Sequence, residues 1–117
     1  MHGKKFKLRA DEFRPLAPNR GGCFATDHIT VDGLPVGYMY RENPDEAWDS
    51  GGRFFSGNET DEYANNPANL AVYDVNTIAN YDPEIIPFLD APFGLAFARD
   101  VQSGKFVEEE FVPAEDV

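Results

Sequence analysis

The stretch VGYMYRE, residues 36–42, decides the fold, because its side chains alternate with a period of two. One face would carry Val36, Tyr38 and Tyr40, and the other face would carry Gly37, Met39 and Arg41. Successive side chains of a strand point to opposite faces, so this pattern predicts a half-buried β-strand. Such a strand needs partner strands, and the flanking sequence supplies them.

Two strand signals precede this stretch. Residues 23–26 (CFAT) are short and mostly apolar, and Ile29 and Val31 flank a single polar residue. We expect a strand in each, with the link at residues 32–35 (DGLP) forming a hairpin turn into residues 36–42. Gly33 would supply the positive φ that such a turn needs.

Strand and helix signals alternate downstream. Strands are predicted at 53–56 and 70–73, followed by a closing hairpin of 94–99 and 105–108 around Ser103-Gly104. Short helices are predicted at 59–65 after an Asn58 cap and at 83–89 after Asp82-Pro83, while 76–81 fits a helix or a turn. The sequence therefore predicts an α+β fold, a single compact domain whose mainly antiparallel sheet has about five or six short strands with two or three short helices.

The distribution of charge suggests three segments. Residues 1–22 form a basic N-terminal arm or edge strand, 23–108 form the α+β domain, and 109–117 form an acidic tail that we expect to be frayed. The first 20 residues hold six bases and two acids. We therefore expect the arm to fold onto the acidic body at low salt.

The chain is strongly acidic. Ten Lys and Arg face 21 Asp and Glu, giving a formal net charge of −11, and residues 21–117 hold only four bases against nineteen acids. Such a charge repels nucleic acid and anionic membranes, whereas it attracts a basic protein partner through long-range steering. The alternative is that the acidity only keeps the protein soluble.

The single cysteine, Cys23, excludes an intramolecular disulfide and any cysteine-based metal cluster. No apolar run has the length of a signal peptide core or of a membrane span. These features predict a cytoplasmic protein.

Residues suited to catalysis are few. A hydrolase could use Cys23 with His28 or His2, but a free cysteine at the start of an apolar strand is usually a small buried hydrophobe. Carboxylate pairs are uninformative because 21 acids produce close pairs by chance. Neither histidine has zinc-ligand spacing, and the loop at 45–49 lacks the alternating calcium-ligand pattern. We predict that the chain is not an enzyme and binds no metal and no cofactor.

One segment stands out as a candidate binding site. Residues 42–62 hold seven acids, and they also hold the only tryptophan, an aromatic of the kind that anchors protein interfaces. The alternative is a solvated acidic loop whose tryptophan folds back onto the core. The predicted contact residues are Glu42, Asp45, Glu46, Trp48, Asp49, Arg53, Glu59, Asp61 and Glu62.

A second binding hypothesis concerns the aromatic residues. The rings around Tyr40 and Phe55 could line a pocket for a small ligand, which would make the chain a ligand-binding or regulatory module. Aromatic residues at strand spacing more often belong to the core.

Several motifs, in the same order, resemble a bacterial domain of unknown function now grouped as the immunity-protein-thirty-three-like family. The likeness spans about residues 23–106. Its motifs are CFATD at 23–27, VGYMYRE at 36–42, DSGGRFFSG at 49–57, EY at 62–63, YDVNTIA at 73–79, DP at 82–83 and LDAPFG at 89–94.

The resemblance implies an immunity protein, which protects the cell that makes a toxin by binding that toxin. The partner implied here is a basic protein toxin, and the family provides no catalytic residues to transfer. One position departs from the family, which commonly has tryptophan where this chain has Gly52.

Overall fold

The structure is a computed structural model that describes residues 5–44 and 46–109. Six strands form one sheet, and the Cα radius of gyration of 13.6 Å is that of a single domain of this length. The strands are β1 (Gly22–Thr26), β2 (Tyr38–Arg41), β3 (Asp49–Phe55), β4 (Leu70–Asp74), β5 (Ala96–Arg99) and β6 (Phe106–Glu109).

The strand order across the sheet is β4-β1-β3-β2-β5-β6. Only β1 and β3 pair in parallel, and the other four neighbouring pairs are antiparallel. The predicted α+β fold with a mainly antiparallel sheet is confirmed. The parallel pair at the centre makes the sheet mixed, which residue periodicity alone could not reveal.

A bulge interrupts β3 near its start. Gly22 on β1 pairs with Asp49, while the next residue, Cys23, pairs with Gly52. Gly51 lies inside the bulge with φ of 86°, and a Cβ there would come within 2.1 Å of the Glu42 carbonyl oxygen. Glycine is therefore required at 51.

The α-helices are α1 (Asp27–Thr30), α2 (Asp61–Ala64) and α3 (Val75–Tyr81), and 3₁₀ helices span Ala10–Glu12, Pro67–Asn69 and Pro83–Phe88. Three helices, α1, α3 and the Pro83–Phe88 helix, pack against one face of the sheet, which we call the covered face. Caps start four of the helices, because the side chains of Thr60, Asn66, Asp74 and Asp82 accept amide hydrogen bonds from the first turn. None of the helices in the described residues is long and apolar enough to cross a bilayer.

The core lies between the covered face and these helices. Its buried side chains come from β1, β2 and β3 on one side and from α1, α3 and the Pro83–Phe88 helix on the other. The fully buried members are Cys23, Ala25, Ile29, Val36, Ile78, Ala79 and Ile85.

Two predictions near the start of the domain are wrong. Residues 29–31 form no strand, because Ile29 and Thr30 lie in α1 and are both fully buried. Adjacent residues can both be buried on a short helix, and three residues are too few to distinguish that helix from a strand of period two. The predicted hairpin at 32–35 is absent for the same reason, although Gly33 does have a positive φ of 77°.

Other elements differ from prediction at their ends. β3 begins at Asp49 instead of residue 53, because Gly51 and Gly52 belong to the bulged strand and not to a loop. Thr60, rather than Asn58, caps α2. Residues 75–81 form a helix, and the predicted 83–89 helix is a 3₁₀ helix ending at Phe88.

The described part of the N-terminal arm lies along α3. Backbone amides of Leu8, Arg14 and Ala17 donate to Tyr81, Asn80 and Asn76, respectively. Ala17 is buried against the core. These contacts are mostly between neutral groups, so the arm is held by hydrogen bonds and packing more than by charge.

A buried ion pair between Asp82 and Arg99 links the start of the Pro83–Phe88 helix to the end of β5. The carboxylate of Asp82 accepts from the Val36 and Glu84 amides and from Arg99, whose Nη2 lies 2.7 Å away. Replacing one member of a buried pair leaves the other charge without its partner.

We therefore expect Asp82→Ala to lower the free energy of unfolding by about 2–4 kcal/mol, measured by urea titration. Asp32→Ala is the matched control, since Asp32 is exposed, and it should cost less than about 0.5 kcal/mol. Equal effects of the two substitutions would contradict this role for Asp82.

Candidate functional site

The second face of the sheet, which we call the open face, contributes little to the main hydrophobic cluster. Strand pairing places Phe24, Val72, Arg53, Phe55, Tyr38, Tyr40, Ala96, Ala98, Val107 and Glu109 on this face. Ala96 is fully buried and Arg53 is 9% exposed, but none of these residues belongs to the cluster between the sheet and the helices. Val72 and Val107 are about half exposed. A sheet with one solvated face normally carries polar side chains there, so an apolar open face is a candidate interface.

Arg53 lies at the centre of the open face and is held by two carboxylates. Its Nη2 lies 2.8 Å from Asp49 Oδ2, and its Nε lies 2.7 Å from Glu42 Oε2. Its guanidinium also stacks over the Phe24 ring, 4.7 Å from the centroid. Asp49 and Arg53 are four residues apart and point to the same face, and the bulge in β3 brings them within reach because they pair with Gly22 and Phe24, which are only two residues apart on β1. The Arg53 hydrogen bond holds the pKa of the Asp49 carboxyl below its ordinary value, despite burial.

Trp48 lies at one end of the open face. Its ring is 45% exposed and contacts Phe24 edge-on, with 6.3 Å between centroids. Gly22 makes room for it, since a Cβ at that position would come within 2.7 Å of the indole. The tryptophan is therefore fixed in place on the sheet while it still presents apolar area to solvent.

Three rings form a cluster farther along the same face. Tyr40 and Phe55 stack with 5.9 Å between centroids, and Tyr38 lies 6.0 and 6.1 Å from them. A shallow, open recess of about 370 Å³ lies over these rings, bordered by Gly57 and Ala64. The rings therefore pack together but keep an accessible surface.

The structure divides the predicted contact residues into two groups. Glu42, Glu46, Trp48 and Asp49 lie where β2 ends and β3 begins, whereas Glu59, Asp61 and Glu62 follow the far end of β3. The bulge shortens β3 to about four strand steps, or about 13 Å, and the two groups lie at its opposite ends. Arg53 lies between them, and Asp45 lies outside the described residues.

Some of these acids are occupied by internal contacts. Asp49 binds Arg53 and the Gly51 amide. Glu59 accepts from Thr26 Oγ1 and from the Ser56 and Gly57 amides, and its side chain is only 4% exposed. Glu46, Asp61 and Glu62 are exposed and available to a partner.

A histidine next to Glu59 does not form a catalytic arrangement. His28 Nδ1 lies 2.8 Å from Ser56 Oγ and 3.5 Å from Glu59 Oε2, so both partners approach the same ring nitrogen. A serine–histidine–acid triad needs the hydroxyl and the acid on different nitrogens. The His28 ring instead packs on Tyr63, with 4.3 Å between centroids.

Cys23 is also unsuited to nucleophilic chemistry. Its side chain is fully buried on the covered face, and burial raises the pKa of its thiol. No hydrogen bond joins Cys23 to His28, and His2 lies outside the described residues. Within residues 5–44 and 46–109, no group of three or more His, Cys, Asp or Glu side chains converges as metal ligands would.

Comparison with known families identifies the domain. A family model described as "Immunity protein Imm33 domain" matches residues 23–110, about three-quarters of the chain. The chain belongs to the Imm33 immunity protein family. This confirms the resemblance found in the sequence motifs. No curated protein and no solved structure matches the chain.

The open face of this Imm33 domain includes residues that the sequence analysis did not single out. Phe24, Val72 and Val107 lie on it because of the strand order, which joins β1 to β4 and β5 to β6. A signal was present in CFAT at 23–26, where Phe24 alternates with two smaller residues. The sequence alone could not show which of the two faces the helices would cover.

The contacts of Glu59 in the Imm33 domain lead to a pH-dependent prediction. Burial raises the pKa of the Glu59 carboxyl, but hydrogen bonds from Thr26 and from the loop amides outweigh burial and hold the pKa below its ordinary value. The stabilisation is therefore complete above the ordinary glutamate pKa of about 4.3 and is lost as the pH falls through the lower, folded-state value.

We expect Glu59→Gln to lower the free energy of unfolding by about 1–3 kcal/mol at pH 7. The NH₂ group of glutamine would face the hydroxyl and amide donors that the carboxylate of Glu59 now accepts from. The difference in free energy of unfolding between the variant and the parent protein should become smaller below about pH 4. Glu62→Gln is the control, since Glu62 is exposed and should show neither effect. Denaturant titrations across pH test this, and a pH-independent gap would refute it.

Proposed function

We propose that this chain neutralises a bacterial toxin by binding it directly, without catalysis, through the open face and the acidic groups at its two ends. Family membership supports the immunity role. The observation that supports the binding mode is the set of exposed apolar side chains on the open face, Trp48, Val72 and Val107, together with the accessible rings of Tyr38, Tyr40 and Phe55. We further propose that this binding takes place in the cytoplasm.

The side chains of the open face suit a protein interface. Tyrosine, tryptophan and arginine dominate binding energy where they are held rigidly, and all three occur there. Arg53 is fixed by Asp49 and Glu42, and Trp48 is fixed against Gly22 and Phe24. Because these side chains are already ordered, binding would cost little additional conformational entropy.

The size of the sheet indicates that the loops at its two ends also belong to the proposed interface. Six strands spaced about 4.8 Å apart give a width of about 24 Å, and the bulged strand β3 is about 13 Å long. That area is smaller than the roughly 800 Å² per partner of a standard interface. The loops carrying Glu46, Asp61 and Glu62 would supply the remaining area.

The charge of these loops favours a basic toxin. The formal net charge is −11, and Glu46, Asp61 and Glu62 project into solvent from opposite ends of the open face. Carboxylates on an interface rim speed the approach of a positively charged partner and orient it.

The test begins by identifying the toxin. The tagged chain is used to capture partners from the lysate of its native bacterium, and each partner is then expressed alone and with the chain in a host cell. We expect one partner to arrest growth and the chain to restore it by forming a stable complex with that partner. Rescue without complex formation, or enzymatic modification of the partner, would overturn the proposal.

Trp48→Ala tests the open face. We expect it to weaken toxin binding by about 10-fold to 100-fold in calorimetry, since a fixed aromatic at an interface typically contributes more than 1 kcal/mol. Val101→Ala is the matched control, because Val101 is 96% exposed but lies in the β5–β6 turn. Equal affinities of the two variants would exclude the Trp48 end of the face from the interface.

Salt tests the electrostatic part separately. Association rates should fall steeply between low and physiological ionic strength, because the Debye length shortens to about 8 Å. The triple substitution Glu46→Gln, Asp61→Asn and Glu62→Gln should flatten this dependence. A salt-independent association rate in the parent chain would show that charge does not guide the encounter.

A further inference from the structure

A cavity of about 240 Å³ lies on the covered face, on the side of the sheet away from the proposed toxin interface. Its apolar walls come from the strands and from the segment that follows the Pro83–Phe88 helix. The walls include Met39, Phe54, Leu89, Leu95 and Phe97. Protein interiors rarely leave open space of this size between packed layers.

Gly52 forms part of the cavity wall and contributes no side chain to fill it. Gly52 pairs with Cys23 on one side and with Arg41 on the other, so it occupies the covered face near the centre of the sheet. A Cβ at this position would lie 3.2 Å from the Phe54 ring, which forms part of the same cavity wall. The sheet therefore has a recess at this position where a neighbouring helix could have packed against a side chain.

Two arginines border the cavity, although the chain as a whole is acidic. Arg20 forms an ion pair with Asp90. Arg41 donates to the carbonyl oxygens of Ser50 and Ala91, so no carboxylate neutralises it directly. The border thus combines two cations with one anion, and it faces an apolar interior.

The Asp90 carboxylate marks a position suited to an anion. Its side chain is 82% exposed, so the ion pair with Arg20 can open to solvent. The hydrogen bond from Arg20, with a smaller contribution from the charge of Arg41, holds the pKa of Asp90 below its ordinary value. The positive charges of both arginines therefore favour an anion at the position of this carboxylate.

We propose that the cavity binds a small molecule that joins one or two aromatic rings to a carboxylate. The rings lie in the apolar recess at Gly52, and the ligand's carboxylate displaces Asp90 from Arg20. An apolar protein cavity of about 150 Å³ is known to accept benzene, so the present volume suits a single ring or a fused pair. This site goes beyond the proposed toxin binding and does not depend on it.

The ligand class follows from the two parts of the site. Leu95, Phe97 and Phe54 provide only apolar contacts, which favour a ring over a polar group. Arg20 offers donors in a planar fork that matches a carboxylate. A neutral ring would use the recess but would gain nothing from the arginine.

The test uses the full chain and indole-3-acetate as the probe, with indole as the neutral comparison. Backbone amide resonances of Gly52, Leu95 and Phe97 are followed by NMR during titration to millimolar ligand, a range suited to a small fragment. We expect these resonances to shift with indole-3-acetate, and we expect indole to bind more weakly.

Two exposed-residue variants separate the roles of charge and shape. Arg20→Gln should weaken indole-3-acetate binding about threefold, and Asp90→Asn should strengthen it by a similar factor, because an exposed ion pair typically contributes below 1 kcal/mol. Neither should change indole binding. No shifts at Gly52, Leu95 and Phe97, equal binding of the two probes, or no response to either variant would overturn the proposal. The spectrum of each variant shows directly that it is folded.

Discussion

The fold depends on three short helices, α1, α3 and Pro83–Phe88, that pack on one face of the six-stranded sheet. The longest, α3, has seven residues, and it packs with the Pro83–Phe88 helix on the covered face. The buried side chains of β1, β2 and β3 therefore point to one face, where Cys23, Ala25, Met39 and Phe54 meet the helices. The alternate residues remain on the open face, and the covered face itself has a gap at Gly52 where the helices do not reach.

Arg53 shows how a charged side chain is accommodated at the middle of the open face. A lone cation in the central strand would lose much of its hydration, and its desolvation would be costly. Asp49 and Glu42 neutralise it, and the Phe24 ring provides a further favourable surface. The three charged groups together carry a net charge of −1, so the centre of the face does not repel a basic partner.

The bulge at Gly51 is what makes this arrangement possible. Without the two extra residues, Ser50 and Gly51, the pairing of β3 with β1 would leave Asp49 too far along the strand to reach Arg53. Gly51 accepts the positive φ, and its missing side chain leaves room for the Glu42 carbonyl. A local backbone irregularity therefore fixes the only arginine on β3, and through Phe24 it also supports the ring of Trp48.

The sequence was sufficient to predict most strands and the cap at Asp82, because these depend on local patterns, whereas the cap of α2 is Thr60 and not the predicted Asn58. Tyr38, Met39 and Tyr40 alternate clearly, and they alternate between faces in the structure. The parallel pairing of β1 with β3 depends on contacts between distant residues, so it could not be deduced from local patterns. The short pattern at 29–31 was misleading because Ile29 and Thr30 are buried together on a helix.

The same limit applies to the candidate site. Residues 42–62 are continuous in sequence, and composition alone suggested one acidic loop. The fold instead places strand β3 inside this segment, so Glu46 lies at one end of the open face and Asp61 and Glu62 lie beyond the other. The Glu59 carboxylate is occupied inside the fold, where it accepts hydrogen bonds from Thr26 and from the loop amides. Charge density could be read from the sequence, whereas its division between two ends could not.

This division assigns different physical roles to the rim and the centre. Exposed carboxylates at opposite ends of β3 act over a long range and change how fast a charged partner arrives. The fixed rings of Trp48, Tyr40 and Phe55 act only on contact, where burial of apolar area determines how slowly the partner leaves. The proposed binding of a toxin requires both properties. A sheet that presents aromatic rings on one face and acids at both ends provides them with few residues.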